Sequence, residues 1–205
     1  MARGDAAAAA ATLQSAIDQR PDLTIAYDRL AFALRAAGRL GDAAAVLDRA
    51  ARGGHADRAL LRSLGAALRD GGDAGRAIAV LEPLARDDAS DLQTLDALAQ
   101  AYARAGRARD AEAAFKRVLQ LSPNASVTWN NLGSLYLAAN RTDEALSALS
   151  NAVAINPELA AAHNGLGVAY ARRGALDRAA EEWRKALALR PDFADARANL
   201  ERVSR

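Results

Sequence analysis

The chain has 205 residues, and its 27 Lys and Arg stand against 25 Asp and Glu, for a formal net charge of +2. That balance excludes a strongly basic tail or an acidic disordered segment. With no Cys, disulfides, thiolate metal sites and Cys nucleophiles are excluded, and two His leave little for catalysis. Hydrophobic residues make up 51% and aromatics only 4%, while 56 Ala fill the gap and favour helix. Lys116 and Lys185 are the only lysines, and such an Ala and Arg bias suits a GC-rich, bacterial coding sequence.

At the N-terminus, Asp5 and the lack of bulky aliphatics make residues 1–11 a poor signal peptide, which favours the cytoplasm. Ala6–Ala11 runs into Leu13, Ala16 and Ile17 at helical spacing, so a first helix is predicted there. No later run approaches the roughly 18–20 apolar residues of a membrane span, so no membrane insertion is expected.

From Thr24 onward the chain repeats with a period of 34 residues. One column reads Leu30, Leu64, Leu98, Leu132, Leu166, beside Ala31, Gly65, Ala99, Gly133, Gly167. Four residues past each of those leucines stand Leu34, Leu68, Tyr102, Tyr136, Tyr170. Then come Gly38, Gly72, Gly106, Asn140, Gly174, the residue types that end a helix in the left-handed conformation. Asp110, Asp143 and Asp177 follow the turn, where they are expected to cap and favour a second helix. The second helix carries Ala43, Ala77, Ala111, Ala145, Ala179 and then Leu47, Leu81, Phe115, Leu149, Trp183. His55, Ala89, Pro123, Pro157 and Pro191 close the pattern. The Gly133 and Ala145 columns stay small because two backbones must approach closely. Each unit is an antiparallel helix pair that cannot bury its apolar stripe alone, so neighbours stack.

These residues resemble the tetratricopeptide repeat family, most clearly at Trp129-x-x-Leu132-Gly133-x-x-Tyr136 followed by Ala145, Leu149, Ala152 and Pro157. The resemblance implies an all-α, right-handed superhelical solenoid of antiparallel helix pairs. The expected organisation is one continuous domain: a half-repeat helix at 1–23, then repeats at 24–57, 58–91, 92–125, 126–159 and 160–193. A capping helix at 194–205 ends it, with Glu201, Arg202 and Arg205 facing solvent.

No catalytic constellation is found. Asp87-Asp88 and Glu181-Glu182 are adjacent pairs that point apart on a helix. Gly71-Gly72-Asp73 and Gly165-Leu166-Gly167 lack the preceding strand of a phosphate loop. His163 takes the place of Trp129 in its column and is expected to pack at a repeat boundary, while His55 is expected in a solvated turn. Neither has a metal-ligand partner at helical spacing, and no metal or cofactor is expected.

The resemblance further implies a concave groove lined by the first helices. In repeats one to three that lining includes Asp28, Arg29, Arg35, Arg62, Arg69, Asp96, Gln100 and Arg104, an Arg-bearing half able to take acidic groups. In repeats four and five it changes to Asn130, Asn131, Ser134, Leu137, Asn164 and Val168. Asn amides offer both donor and acceptor and suit an extended backbone. The Lys and Asn set with which family members grip a chaperone's C-terminal carboxylate is missing. The expected function is non-enzymatic binding of a partner protein or peptide. The alternatives are an appendage of a larger enzyme or secretion assembly, and self-association into a homo-oligomer. RNA is disfavoured by the mixed groove charge.

Repeats one and two lack the closing Pro, and Pro83 falls inside a predicted second helix, where proline costs on the order of 3 kcal/mol. Native-state hydrogen exchange is therefore expected to find the fastest-opening amides in residues 24–90. The slowest amides in that stretch would contradict this.

Overall fold

The computed structural model describes residues 3–203, with side chains from Ala8 onward; Arg205, expected in the cap, lies outside them. All regular structure among these residues is α-helical. It comprises α1 (Arg3–Gln19), α2 (Thr24–Ala36), α3 (Leu40–Arg52), α4 (Arg58–Asp70), α5 (Ala74–Asp87) and α6 (Leu92–Arg104). Then follow α7 (Ala108–Leu121), α8 (Ser126–Ala138), α9 (Thr142–Ile155), α10 (Ala160–Arg172), α11 (Leu176–Leu189) and α12 (Ala194–Val203). First helices start at Thr24, Arg58, Leu92, Ser126, Ala160 and Ala194, a constant step of 34. The chain divides into two compact units, Met1–Arg107 carrying α1 to α6 and Ala108–Arg205 carrying α7 to α12.

Within each unit, every helix packs on its chain neighbours, and first helices also lie beside the next first helix. The leucine column and the whole second-helix alanine column are buried. A Cβ built on Gly133 would stand 2.5 Å from Leu149 Cγ, and one on Gly65 would stand 2.6 Å from Leu81 Cγ. On Gly167 it would run into the Trp183 indole. Leu149 also fills the space over Gly165 of the following first helix, 2.8 Å from a Cβ there, so one side chain plugs two repeats. Ile17 of α1 is buried against the unit 1 core, and Leu200 of α12 packs on the Trp183 cluster.

Asn140 and Gly38, Gly72, Gly106 and Gly174 all have positive φ. At Asn140 the Arg141 N–H donates to Tyr136 O at 2.8 Å and the Asn140 N–H to Leu137 O at 3.1 Å, a Schellman turn. Repeat one, lacking its Pro, ends α3 with the same device: Gly54 has φ +74 and the His55 N–H donates to Ala50 O at 3.0 Å. His55 is half-buried there, less solvated than its flanking glycines suggested.

The caps correct one expectation. Asp143 and Asp177 lie inside the first turns of α9 and α11, whose caps are Arg141 and Ala175 without a side-chain bond. They act on the helix dipole and leave the end N–H groups uncapped. True caps are Asp57, Asp73 and Asp91, which accept from Leu60, Arg76 and Thr94. Meanwhile α5 stays helical on both sides of Pro83, which is exposed, so the carbonyl it leaves unbonded, on exposed Ala79, can be hydrated.

Gly133→Ala is expected to destabilise the chain by about 1–3 kcal/mol through overpacking against Leu149. In the Leu149→Ala background the same change should cost much less, as urea unfolding followed by circular dichroism will measure. Additive costs would mean that the close approach is not what keeps this position small.

Candidate functional site

In unit 1 the first helices α2, α4 and α6 lie side by side and present the predicted charged residues. Most of those charges are already engaged. Arg35 Nη2 donates to Asp70 Oδ2 at 2.6 Å, and Arg69 Nε donates to Asp70 Oδ1 at 2.9 Å. Arg69 Nη1 goes on to Gln100 Oε1 at 2.8 Å, and Gln100 Nε2 to Asp96 Oδ2 at 2.6 Å. A ladder of polar contacts thus runs from α2 through α4 to α6. Burial pushes the Asp70 carboxyl up, but the two guanidiniums outweigh it and hold the carboxyl low.

Arg62 belongs to a second node. Its Nη1 donates to Asp91 Oδ2 at 2.9 Å, beside Arg58 Nε at 2.8 Å and Thr94 Oγ1 at 2.7 Å. Burial opposes this charge too, yet the donated bonds hold the Asp91 carboxyl well below the usual carboxylate range. Asp28 accepts from Ser63 Oγ at 2.7 Å. Arg29 and Arg104 alone of the predicted arginines stay exposed. On α2, Ile25 and Phe32 flank Arg29 at helical spacing, 58% and 68% exposed.

In unit 2, α8 and α10 carry the predicted amides. Asn130 and Asn164 occupy equivalent positions, and the Oδ1 of each is buried with no hydrogen-bond partner. Asn131 and Val168 are half-buried, Ser134 is exposed and Leu137 is buried. Arg172 joins the two helices, its Nη1 donating to Leu137 O at 2.5 Å and to Asn140 Oδ1 at 3.3 Å.

Side-chain N–H groups also bridge the joints between repeats. Trp129 Nε1 donates to Pro123 O at 2.9 Å. One repeat on, His163 Nε2 donates to Pro157 O at 2.9 Å while its Nδ1 meets Glu182 Oε2 at 2.6 Å. One further on, Arg197 Nη2 donates to Pro191 O at 2.6 Å. His163 is buried at the repeat boundary. Tyr136 Oη donates to Glu112 Oε1 at 3.0 Å, Arg141 lies 4.3 Å from the Tyr136 ring centroid, and Lys116 Nζ reaches Glu112 at 2.7 Å.

The tetratricopeptide repeat model matches three overlapping stretches of the chain, residues 62–126, 97–158 and 130–192. The chain belongs to the tetratricopeptide repeat (TPR) family. Among curated proteins no sequence matches it. Among solved structures it is similar to a chain of the APC/C hetero-tetramer Cut9-Hcn1, with a TM-score of 0.79 and 20% identity over 98% of this chain and 40% of that one. It is also similar to a thermophilic TPR protein of Thermus thermophilus, with a TM-score of 0.75 and 22% identity over 88% of this chain and 98% of that one. A third is YrrB, described as a TPR protein with an unusual peptide-binding site, with a TM-score of 0.62 and 21% identity over 92% and 97%.

Within the TPR frame, the sequence named first-helix residues of both units but missed the bonds among them. Phe32 and Ile25 escaped because their columns hold no consistent residue type. Phe32 aligns with Ala66, Gln100, Ser134 and Val168. Arg35 and Arg69 stand one repeat apart, but both are engaged by Asp70 of α4. Arg172 was missed because its acceptor is a backbone carbonyl 35 residues earlier.

The Glu112 cluster yields a pH test. Arg141 first, then Lys116, hold its carboxyl down to about 2. A carboxyl depressed on folding stabilises above its unfolded value near 4.5, and that contribution is lost as pH falls through about 2. Arg141 and Lys116 are partly exposed, so screening limits the contribution to about 1 kcal/mol. Glu112→Gln is expected to lower stability by that amount at pH 7, with the gap closing towards pH 2 in urea titrations. A gap independent of pH would contradict the assignment.

Proposed function

We propose that this TPR chain is a non-enzymatic scaffold that holds an extended segment of a partner protein against its first helices. The observation that carries the reading is the pair of buried, unpartnered Oδ1 atoms on Asn130 and Asn164. An unpaired buried acceptor costs about 1–3 kcal/mol. The two sit at equivalent positions, and turning each amide outwards would let it accept from an extended backbone, which supplies N–H donors whatever its side chains are. The same amides carry N–H groups that can return bonds to the segment's carbonyls. Asn131 and Ser134 extend the polar surface.

Unit 1 contributes differently. Its charge ladder leaves Arg29 and Arg104 to meet acidic groups, and Phe32 with Ile25 offers an apolar anchor. Large exposed aromatics are the residues from which binding hot spots are made. The peptide-binding site of the structurally similar YrrB is consistent with a role of this class.

The triple variant Asn130→Ala, Asn131→Ala, Asn164→Ala is expected to keep its helical circular dichroism. It should lose the partner that crosslinking capture from the native source recovers with the wild-type chain. Unchanged capture would sink the proposal. Light scattering that grows with concentration and vanishes on Phe32→Ser would favour self-association instead.

A further inference from the structure

A cavity of about 630 Å³ lies on the second-helix side of unit 2, on a different face of α8 from Asn130 and Asn131. Its floor is Leu119, Trp129, Leu132, Tyr136 and Ala148, and its rim includes Lys116, Asp143, Glu144 and Asn151. That size is typical of a ligand site.

The 34-residue period tells how the space arises. One repeat on, the places of Trp129, Glu144, Ser147, Ala148 and Asn151 are held by His163, Arg178, Glu181, Glu182 and Lys185. There the chain fills the space itself: Glu182 bonds His163, and Lys185 Nζ bonds Glu181 and Glu182, each at 2.9 Å. Arg178 lies 5.8 Å from the Tyr170 ring centroid. In repeat four Ser147, Ala148 and Asn151 are short and uncharged where repeat five has Glu181, Glu182 and Lys185, and the Trp129 ring is left open.

The chain's own filler indicates what fits. Every tyrosine has an Arg over its ring: Arg49 on Tyr27 at 5.7 Å, Arg107 on Tyr102 at 4.5 Å, Arg141 on Tyr136 at 4.3 Å and Arg178 on Tyr170 at 5.8 Å. Among the described residues no cation lies over Trp129, the ring type that binds cations best. The indole N–H is already committed to Pro123 O, so the ring has only its face and edge to offer. At the mouth, Asp143 and Glu144 are 70% and 48% exposed. Their partners are Arg173, which reaches Asp143 at 2.5 Å, and Arg141, which reaches Glu144 at 2.9 Å. Exposed pairs of this kind contribute little and exchange readily. Lys116 is held at 2.7 Å by Glu112.

We propose that this cavity is a second binding site, separate from the first-helix faces, which takes an Arg or Lys side chain of a basic partner segment. The aliphatic stem lies on Leu119, Leu132 and Ala148, the charged head faces the Trp129 ring, and Asp143 and Glu144 complete the pairing.

The test follows the Trp129 indole N–H by NMR in the full ¹⁵N-labelled chain, with N-acetyl-arginine amide as the probe. Its uncharged isostere N-acetyl-citrulline amide and N-acetyl-leucine amide serve as controls. The arginine probe is expected to shift the resonance saturably in the millimolar range and more weakly at high salt. The shift should be abolished by Ala148→Glu with Asn151→Lys, which fills the space with the counterparts of Glu182 and Lys185. Should that variant fail to fold, Asp143→Asn with Glu144→Gln is expected to weaken the arginine probe severalfold. Equal shifts from citrulline or leucine amide would overturn the cationic occupant. So would no saturable shift, or shifts that persist in both variants. The triple Asn variant should bind the arginine probe normally, so failure here and failure of the first-helix reading are distinguishable.

Discussion

At Gly133 there is room for a hydrogen atom and nothing larger, because Leu149 of the paired helix already occupies the space a side chain would take. Much of the architecture follows from that one steric limit. Two helices that close need small residues along their seam, and this is where the alanines and glycines of the chain are used. Leu149 reaches across to Gly165 as well, so the contact that closes one repeat also seats the next. The fit between these repeats is then set by side-chain shape, while first helices start every 34 residues from Thr24 to Ala194. Stability in such an array is local, built from each pair and its neighbours.

Polar chemistry is laid over this frame with a division of labour. In unit 1, Asp70 and Asp91 are half-buried carboxylates, and guanidiniums from the neighbouring first helix reach each of them. Those arginines hold helices together and are not free to greet a ligand. Unit 2 makes the opposite choice on its first helices: Asn130 and Asn164 are left with unmet acceptors. Its second helices place their charges around Tyr136 and Glu112 instead. Unit 1 thus exposes Ile25, Phe32, Arg29 and Arg104, while unit 2 keeps its unmet amide acceptors.

The fold was legible because its determinants repeat. Leu132, Gly133, Ala145 and the left-handed Asn140 each sit in a column of like residues, and one column can be read without its neighbours. The candidate site was legible only in outline. Whether Arg35 is free depends on Asp70, and whether Arg62 is free depends on Asp91. These partners lie 35 and 29 residues away, in other columns, so no single column shows the pairing. The joint at Pro123, Pro157 and Pro191 was hidden for a related reason. Trp129, His163 and Arg197 share no property except an N–H at the right distance from a carbonyl. The cavity beside Trp129 is a matter of missing bulk at Ala148 and Asn151, which a search for matching residues passes over.

Phe32 has a consequence for the chain as a colloid. With a net charge of only +2 over 205 residues, copies have almost no long-range repulsion to hold them apart. Screening at physiological salt, over about 8 Å, removes what remains. An aromatic ring left 68% in water therefore sets how readily molecules adhere to one another. Covering α2 would remove that adhesive ring, so solubility itself becomes a readout of whether that face is occupied.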